Sequence, residues 1–469
     1  MIYIKSRSQE IDIPYDNPFA NDKLGRGTLC KVLTDMVSFY GQSGCVMALC
    51  GEWGSGKTTF VKMWKQQLEN EGYKTLYFNA WSSDYTTDPL MALVSELSEL
   101  SPNNDTINKI ATSAVRIGVS ALKGIVKKAT GIDCDALSNA IEKTCEIGEE
   151  YLREYSEQKV KLEEFKNDVQ KYVADNAAEH PVVFFIDELD RCNPHYAVAV
   201  LERIKHLFEI PNIIFVLAIN KKELSNAIQG FYGSPKIDSD EYLRRFIDIN
   251  YELPKPKIEN YCEFLLEEYR FNDFFSSVQR RAFFSRFNEA EEFKIIAKSM
   301  CKELSINLRL MDRVFAYSRL ALMQFNSSIY VMPGIYFMLC LWKVTDPIFY
   351  NQLKNKEFTI QELLYKLEEK LPKSMFDDSN YRTKIYVIAN LIYCYDMSTT
   401  EYKVQKPTLI IRQNNSTIEC EPPIHLKHID NNELLYALEY YYNNRQYDLP
   451  GLWHVFSRID LLNQFNQYS

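Results

Sequence analysis

Long apolar runs are missing from this chain of 469 residues. No stretch reaches the ~18 residues that a membrane-spanning helix needs. The nearest, Ile329–Trp342, is interrupted by Pro333 and Gly334 and reads as a buried core helix. The first residues, Met1 to Ser8, are too polar for the apolar segment of a secretory leader. An excess of positive charge is also missing: 54 Lys and Arg face 63 Asp and Glu, a net charge of −9. That argues against a surface that coats nucleic acid generally and leaves room for a local basic groove. No C-x-x-C occurs, and 11 cysteines form no even-numbered disulfide framework, so reduced thiols in a cytoplasmic protein are expected. Histidine is sparse. Cys420, His425 and His428 come near one another, but no fourth ligand is evident and Pro422 and Pro423 intervene, so they read as a chance cluster. Neither an internal repeat nor a low-complexity tract is visible.

What is present centres on Val46–Thr59. Five apolar residues, Val46 to Cys50, predict a buried strand. Gly51, Glu52, Trp53, Gly54, Ser55 and Gly56 form a glycine-rich turn. Lys57, Thr58 and Thr59 then open a helix with Phe60, Met63, Trp64 and Leu68 on one face. This is the full G-x-x-x-x-G-K-[ST] pattern in a strand–turn–helix setting. Its glycines let backbone N–H groups converge on phosphate oxygens, and the helix N-terminus adds its positive dipole end. Lys57 suits the β- and γ-phosphates, and the Thr58 hydroxyl suits Mg²⁺.

A second apolar strand, Val182–Ile186, ends in Asp187 and Glu188. Such a run is typical of a central parallel strand, and downstream of a phosphate loop the Asp-Glu end is specific. Asp187 is expected to hold Mg²⁺ and Glu188 to activate the attacking water. A third apolar strand, Ile213–Ile219, ends at Asn220, which suits either a polar sensor of the γ-phosphate or the cap of the next helix. Arg244 and Arg245 stand where oligomeric ATPases carry an arginine finger, and equally suit a solvated helix end. Asp248–Leu253 predicts a last strand, and Pro254 and Pro256 a domain boundary.

Elsewhere the pattern is helical. Residues 101–178 predict a helical insertion. Its segment 107–131 interleaves Arg116, Lys123, Lys127 and Lys128 with apolar positions, a pattern open to membrane-surface contact. Small residues outnumber lipid-seeking ones there, which favours the soluble reading. Arg309 opens a helix after Ser305-Ile306-Asn307-Leu308. Thr408–Cys420 predicts a small hairpin in a tyrosine-rich C-terminal part.

Together these residues resemble the KAP family of P-loop NTPases. The matching pieces are Leu24-Gly25-Arg26, Gly51 to Thr58, Phe78-Asn79-Ala80-Trp81, Ile186 to Cys192, Phe215 to Asn220, Tyr242-Leu243 and Asn307-Leu308-Arg309, over roughly residues 10–350. The resemblance implies an α/β fold of the catalytic-glutamate class, with a central parallel sheet flanked by helices, and ATP with Mg²⁺ as ligand. It implies a helical lid whose Arg309 acts as a second sensor. Many members insert transmembrane helices between the two motif halves, where this chain has the charged segment 101–178. Members often carry Asp-Asp where this chain has Asp187-Glu188. Nothing in residues 351–469 extends the likeness.

The expected organisation is a P-loop core over 1–253 with its insertion at 101–178, a helical lid over 254–350, and a mostly helical region of unassigned role over 351–469. The expected function is a Mg-dependent ATPase that works as a conformational switch, a homo-oligomer. Bacterial members commonly serve in defence against phage, so the resemblance implies a defence or signalling role beside an effector protein encoded nearby. A nucleotide-binding oligomeric scaffold with little hydrolysis, and a nucleic-acid-stimulated motor, are the alternatives.

Overall fold

The computed structural model describes residues 11–117, 140–401, 409–443 and 451–464, apart from residues 87, 103, 116, 178, 208–209, 256, 285–286, 304–306, 378, 415–416, 422 and 425. Most of the 107–131 segment, and His425 of the Cys/His cluster, lie outside the described residues. The chain divides into two compact units, residues 10–255 and residues 256–469.

The first unit is built on a five-stranded parallel sheet: β1 (Cys45–Cys50), β2 (Thr75–Asn79), β3 (Val182–Asp187), β4 (Ile213–Ile219) and β5 (Ile249–Glu252). The order is β2-β3-β4-β1-β5, so the strand that leads into the glycine-rich turn lies between β4 and β5. Every residue of β3 and β4 is buried, which explains their unbroken apolar sequences. The edge strands β2 and β5 alternate instead. Sequence period two sends Ile214, Val216 and Ala218 to one face, with Val183 and Phe185 of β3. There they meet α1 (Gly27–Tyr40) and α2 (Lys57–Asn70) through Leu33, Val37, Phe60, Val61 and Trp64. Ile213, Phe215, Leu217 and Ile219 face the other way. They pack with α3 (Leu90–Ser98), the C-terminal part of α4 (Ala140–Ala177), α5 (Pro194–Leu207) and α6 (Lys221–Tyr232). A short α7 (Ser239–Leu243) precedes β5.

The insertion is helical where described. α4 turns one stripe, Phe165, Val169, Tyr172 and Val173, into the core at helical spacing. Among the described residues, no helix is long and apolar enough to cross a membrane.

Among the described residues, the second unit is helical apart from one hairpin. Its helices are α8 (Ile258–Glu268), α9 (Phe271–Phe275), α10 (Val278–Phe284), α11 (Glu289–Glu303), α12 (Leu308–Leu322), α13 (Pro333–Thr345), α14 (Pro347–Lys354), α15 (Ile360–Lys370), α16 (Tyr381–Glu401), α17 (Asn431–Asn443) and α18 (Leu452–Gln464). The hairpin pairs β6 (Ile410–Asn414) with β7 (Thr417–Glu421) antiparallel. Pro333 sits in the first turn of α13, where its missing N–H costs nothing, so the interrupted apolar run of the sequence is a buried helix with proline at its start. One core runs from Cys262 to Ile459, so residues 256–350 and 351–464 share it.

A buried ion pair lies in this unit. Arg280 and Glu289 are 1% and 3% exposed, and the guanidinium donates to both carboxylate oxygens, at 2.6 and 2.7 Å. Two further N–H groups donate to the Asn326 and Ile329 carbonyls. Removing one partner strands a buried charge. Glu289→Ala is therefore expected to cost about 3–5 kcal/mol in chemical denaturation. The double variant Arg280→Met/Glu289→Leu should recover part of that loss. A double variant less stable than Glu289→Ala would contradict this account.

Candidate nucleotide site

Register carries the site. Cys50 of β1 is level with Ile219 of β4, Ala218 of β4 with Asp187 of β3, and Asp187 with Asn79 of β2. Residues that are far apart in sequence therefore leave the sheet together, at the carboxyl edge where open α/β sheets place their ligands. The Gly51 N–H donates to the Ile219 carbonyl at 3.1 Å and ties the start of the loop to the end of β4.

The loop depends on its glycines. Gly54 and Gly56 have φ of 76° and 86°, the left-handed region that a side chain disfavours. A Cβ on Gly51 would stand 2.8 Å from Ser55 Oγ, so a side chain there would force the serine hydroxyl to move. Lys57, buried at the first position of α2, folds its Nζ back onto the Gly51 and Glu52 carbonyls at 2.6 and 3.1 Å. Burial pulls its pKa below the ordinary lysine value, and the nearby Asp190 and Asp187 oppose that shift.

Asp187 ends β3 and is 1% exposed. Burial raises its pKa. Hydrogen bonds from the hydroxyls of Thr58 and Tyr77 (3.0 Å) and from the Glu188 N–H (2.8 Å) resist that rise. Thr58 and Asp187 thus bring two oxygen donors together, the kind of ligand a hard divalent cation takes. Glu188 follows with φ of 60°, an uncommon conformation for a residue with a side chain. Its carboxylate accepts from Asn79 Nδ2 at 3.0 Å and pairs with Arg191 at 2.5 Å. Thr59 follows Thr58 in the first turn of α2 and is half-buried, whereas Glu52 and Trp53 are exposed on the loop.

Three further contacts bind the quoted motifs to one another. The exposed Trp53 donates its indole N–H to the buried Asp190 carboxylate, joining the loop to the turn after β3. The Arg191 guanidinium lies 5.6 Å from the ring centre of Trp81, so it touches both Glu188 and the residue that follows Asn79-Ala80. The Ala80 N–H donates to the Asp187 carbonyl at 3.0 Å. Asn79, Asp190 and Arg191 carried no role in the sequence reading. The available signal was their place inside Phe-Asn-Ala-Trp and Asp-Glu-Leu-Asp-Arg, at the ends of two strands.

The remaining predicted residues are spread more widely. Asn220 follows β4 beside the loop, and its side chain accepts from the Glu223 N–H at 3.5 Å, the contact of a helix cap. Arg244 and Arg245 are exposed at the end of α7, and Arg244 pairs with Glu241 of that helix at 3.0 Å. Among the described residues, neither arginine bonds to the loop or to the β3 end. Arg309 belongs to the second unit, exposed in the first turn of α12, which Asn307 caps by accepting from the Leu310 N–H at 2.8 Å.

A phosphate loop, a strand ending in Asp-Glu beside it, and a five-stranded parallel sheet define a P-loop NTPase. The KAP family P-loop domain matches residues 27–319, more than half of the chain, and the chain belongs to that family. A comparison with curated proteins finds no match. Among solved structures, it is similar to the Aeropyrum pernix ORC2 protein in its ADPNP-ADP complexes, at 12% identity and a TM-score of 0.35, covering 90% of this chain and 95% of that one. Drosophila ORC bound to DNA matches at 11% identity and a TM-score of 0.32, covering 96% and 88%. AMPPCP-bound DnaA from Aquifex aeolicus matches at 11% identity and a TM-score of 0.23, covering 74% and 93%.

The Trp53–Asp190 bond gives a direct test of how the loop is held. Trp53→Phe and Asp190→Asn should each weaken nucleotide binding by about tenfold, the worth of a hydrogen bond to a charged group. The double variant should be no weaker than the worse single one. Fully additive losses in calorimetry or fluorescence titration would show that the two residues act separately.

Proposed function

We propose that the chain is a Mg-dependent ATPase whose cycle of ATP hydrolysis to ADP and phosphate serves as a conformational switch. The observation that carries this reading is the Thr58 hydroxyl on the Asp187 carboxylate, with Lys57 and Glu188 beside them. Gly51, Gly54 and Gly56 shape a loop that suits phosphate oxygens, and the oxygen donors of Thr58 and Asp187 suit Mg²⁺. Bound there, the cation would neutralise charge that develops on the phosphates. Lys57 would leave the Gly51 and Glu52 carbonyls for the β- and γ-phosphates, where its ammonium stabilises the same charge. Glu188 would accept the proton of the attacking water, and Asn79 and Arg191 set where its carboxylate points.

In this reading Asn220 reports the γ-phosphate in addition to capping α6. Arg309 is the second sensor, and the second unit answers the nucleotide as a lid. Arg244 and Arg245, exposed and, among the described residues, without a bond to the phosphate loop of their own chain, suit a finger offered to another copy of the chain in a homo-oligomer. Family membership supports a role in antiphage defence or signalling beside an effector protein.

Phosphate release tests the chemistry. Glu188→Gln should lower kcat by about 10²–10⁴-fold while nucleotide affinity stays near wild type. Lys57→Ala should lose both binding and turnover. Equal, near-zero rates for wild type and Glu188→Gln would overturn the hydrolytic reading in favour of a nucleotide-binding scaffold. Stimulation of turnover by DNA or RNA would instead identify a nucleic-acid-stimulated motor. For the finger, Lys57→Ala subunits mixed with Arg244→Ala/Arg245→Ala subunits should regain activity, and no recovery at any ratio would remove it.

A further inference from the structure

Arg26, at the head of α1, is the least expected charge in the first unit. It is 3% exposed, and burial pulls its pKa below the ordinary arginine value, against the pull of Asp22. A buried guanidinium is costly unless its donors are taken up. Here two carbonyls from distant parts of the chain take them. Arg26 donates one Nη to the Ser55 carbonyl at 2.7 Å and the other to the Pro254 carbonyl at 2.8 Å. Ser55 lies in the middle of the phosphate loop. Pro254 directly follows β5, whose exit is fixed by the Leu253 N–H on the Cys50 carbonyl at 2.9 Å. One residue later, after Lys255, the chain passes from the first unit to the second.

The turn that aims this side chain is itself pinned. The Asp22 carboxylate accepts from the Leu24 and Gly27 N–H groups at 3.0 and 2.7 Å, and from the Arg26 N–H. Gly25 between them has φ of 67°, which glycine supplies without strain. Two buried polar atoms at the junction, Arg26 Nε and Ser55 Oγ, have no hydrogen-bond partner among the described residues. The backbone of the turn is held firmly, whereas the contact with the phosphate loop is not fully satisfied. A loop that rearranges around phosphate can satisfy it differently.

We propose that Arg26 is a positioning residue that couples nucleotide occupancy of the phosphate loop to the segment leaving the NTPase unit. A shift of the Ser55 carbonyl on nucleotide binding moves the guanidinium, and the same guanidinium holds the Pro254 carbonyl. The planar fork of arginine is what allows one side chain to serve both carbonyls; lysine supplies the charge without the fork. This inference rests on nucleotide binding at the loop, not on hydrolysis or on any trigger.

Hydrogen exchange with and without ADP or a non-hydrolysable ATP analogue, each with Mg²⁺, tests it on the full chain. In the wild type, the amides of residues 250–253 and Lys255, on either side of Pro254, should change their exchange at least threefold on addition of nucleotide. Arg26→Lys should keep nucleotide affinity within a few-fold and lose that response at 250–255, while the loop residues 51–58 still respond. Asp22→Asn, which leaves the guanidinium in place and frees the turn, should weaken the response in the same way, and serves if Arg26→Lys does not fold. Exchange at 250–255 that nucleotide leaves unmoved in the wild type overturns the coupling. So does a full response in Arg26→Lys, and so does loss of nucleotide binding in that variant, which would make Arg26 part of the binding site itself. A wild type that binds no nucleotide by calorimetry is a different failure, that of the nucleotide site.

Discussion

The registration of β1 against β4 and of β4 against β3 is the constraint on which the rest depends. It sets Cys50, Ile219 and Asp187 at one edge of the sheet and so decides which side chains can meet. A slip of one residue in a strand buried on both faces would exchange its two core sets, Ile213-Phe215-Leu217-Ile219 for Ile214-Val216-Ala218. The second set is smaller in volume, so the two helical layers would no longer fill. Packing density therefore protects the geometry of the site, although none of the core residues belongs to it.

On that edge, acid and base are balanced by burial rather than by simple pairing. Lys57 and Asp187 are both largely withdrawn from water, and desolvation moves their pKa values toward the neutral forms, the lysine down and the carboxyl up. Neither has a direct ion pair with the other. Lys57 is held by carbonyls and Asp187 by hydroxyls and an N–H. Such neutral partners hold each group more loosely than a tight Lys57–Asp187 ion pair would. The direct ion pair falls one residue later, on Glu188, where Arg191 and Asn79 fix the direction of the carboxylate.

Much of this was legible in the sequence because it is local. The phosphate loop is contiguous, and its glycines, lysine and threonine fall at the strand–turn–helix positions that their spacing predicts. The β3 and β4 runs announce a doubly covered sheet through their unbroken apolar character. What escaped was the wiring between motifs. Trp53 meets Asp190, Asn79 meets Glu188 and Arg26 meets Pro254, at separations of 137, 109 and 228 residues. No periodicity reports such contacts, since they arise only when the strands register. Asn220 shows the limit from the other side: its residue type suited both a cap and a sensor, and the cap is the contact visible in the structure.

The wiring also shows how the motifs of this chain complete one another. Asp190 accepts from Trp53, so an aromatic N–H donor in the phosphate loop and a second acid after the β3 end satisfy one another. Without Trp53, a carboxylate that is 7% exposed would lose a donor and take on a desolvation cost of the order of 1–3 kcal/mol. Without Asp190, the indole N–H would turn to solvent and the loop would lose a tether. Arg191 repeats the logic between Glu188 and Trp81. Each motif therefore completes a polar group that another leaves unsatisfied. A sequence that carried only one of them would fold the same sheet but would hold its phosphate loop less firmly, and that difference separates the specific set of residues in this chain from a generic glycine-rich turn.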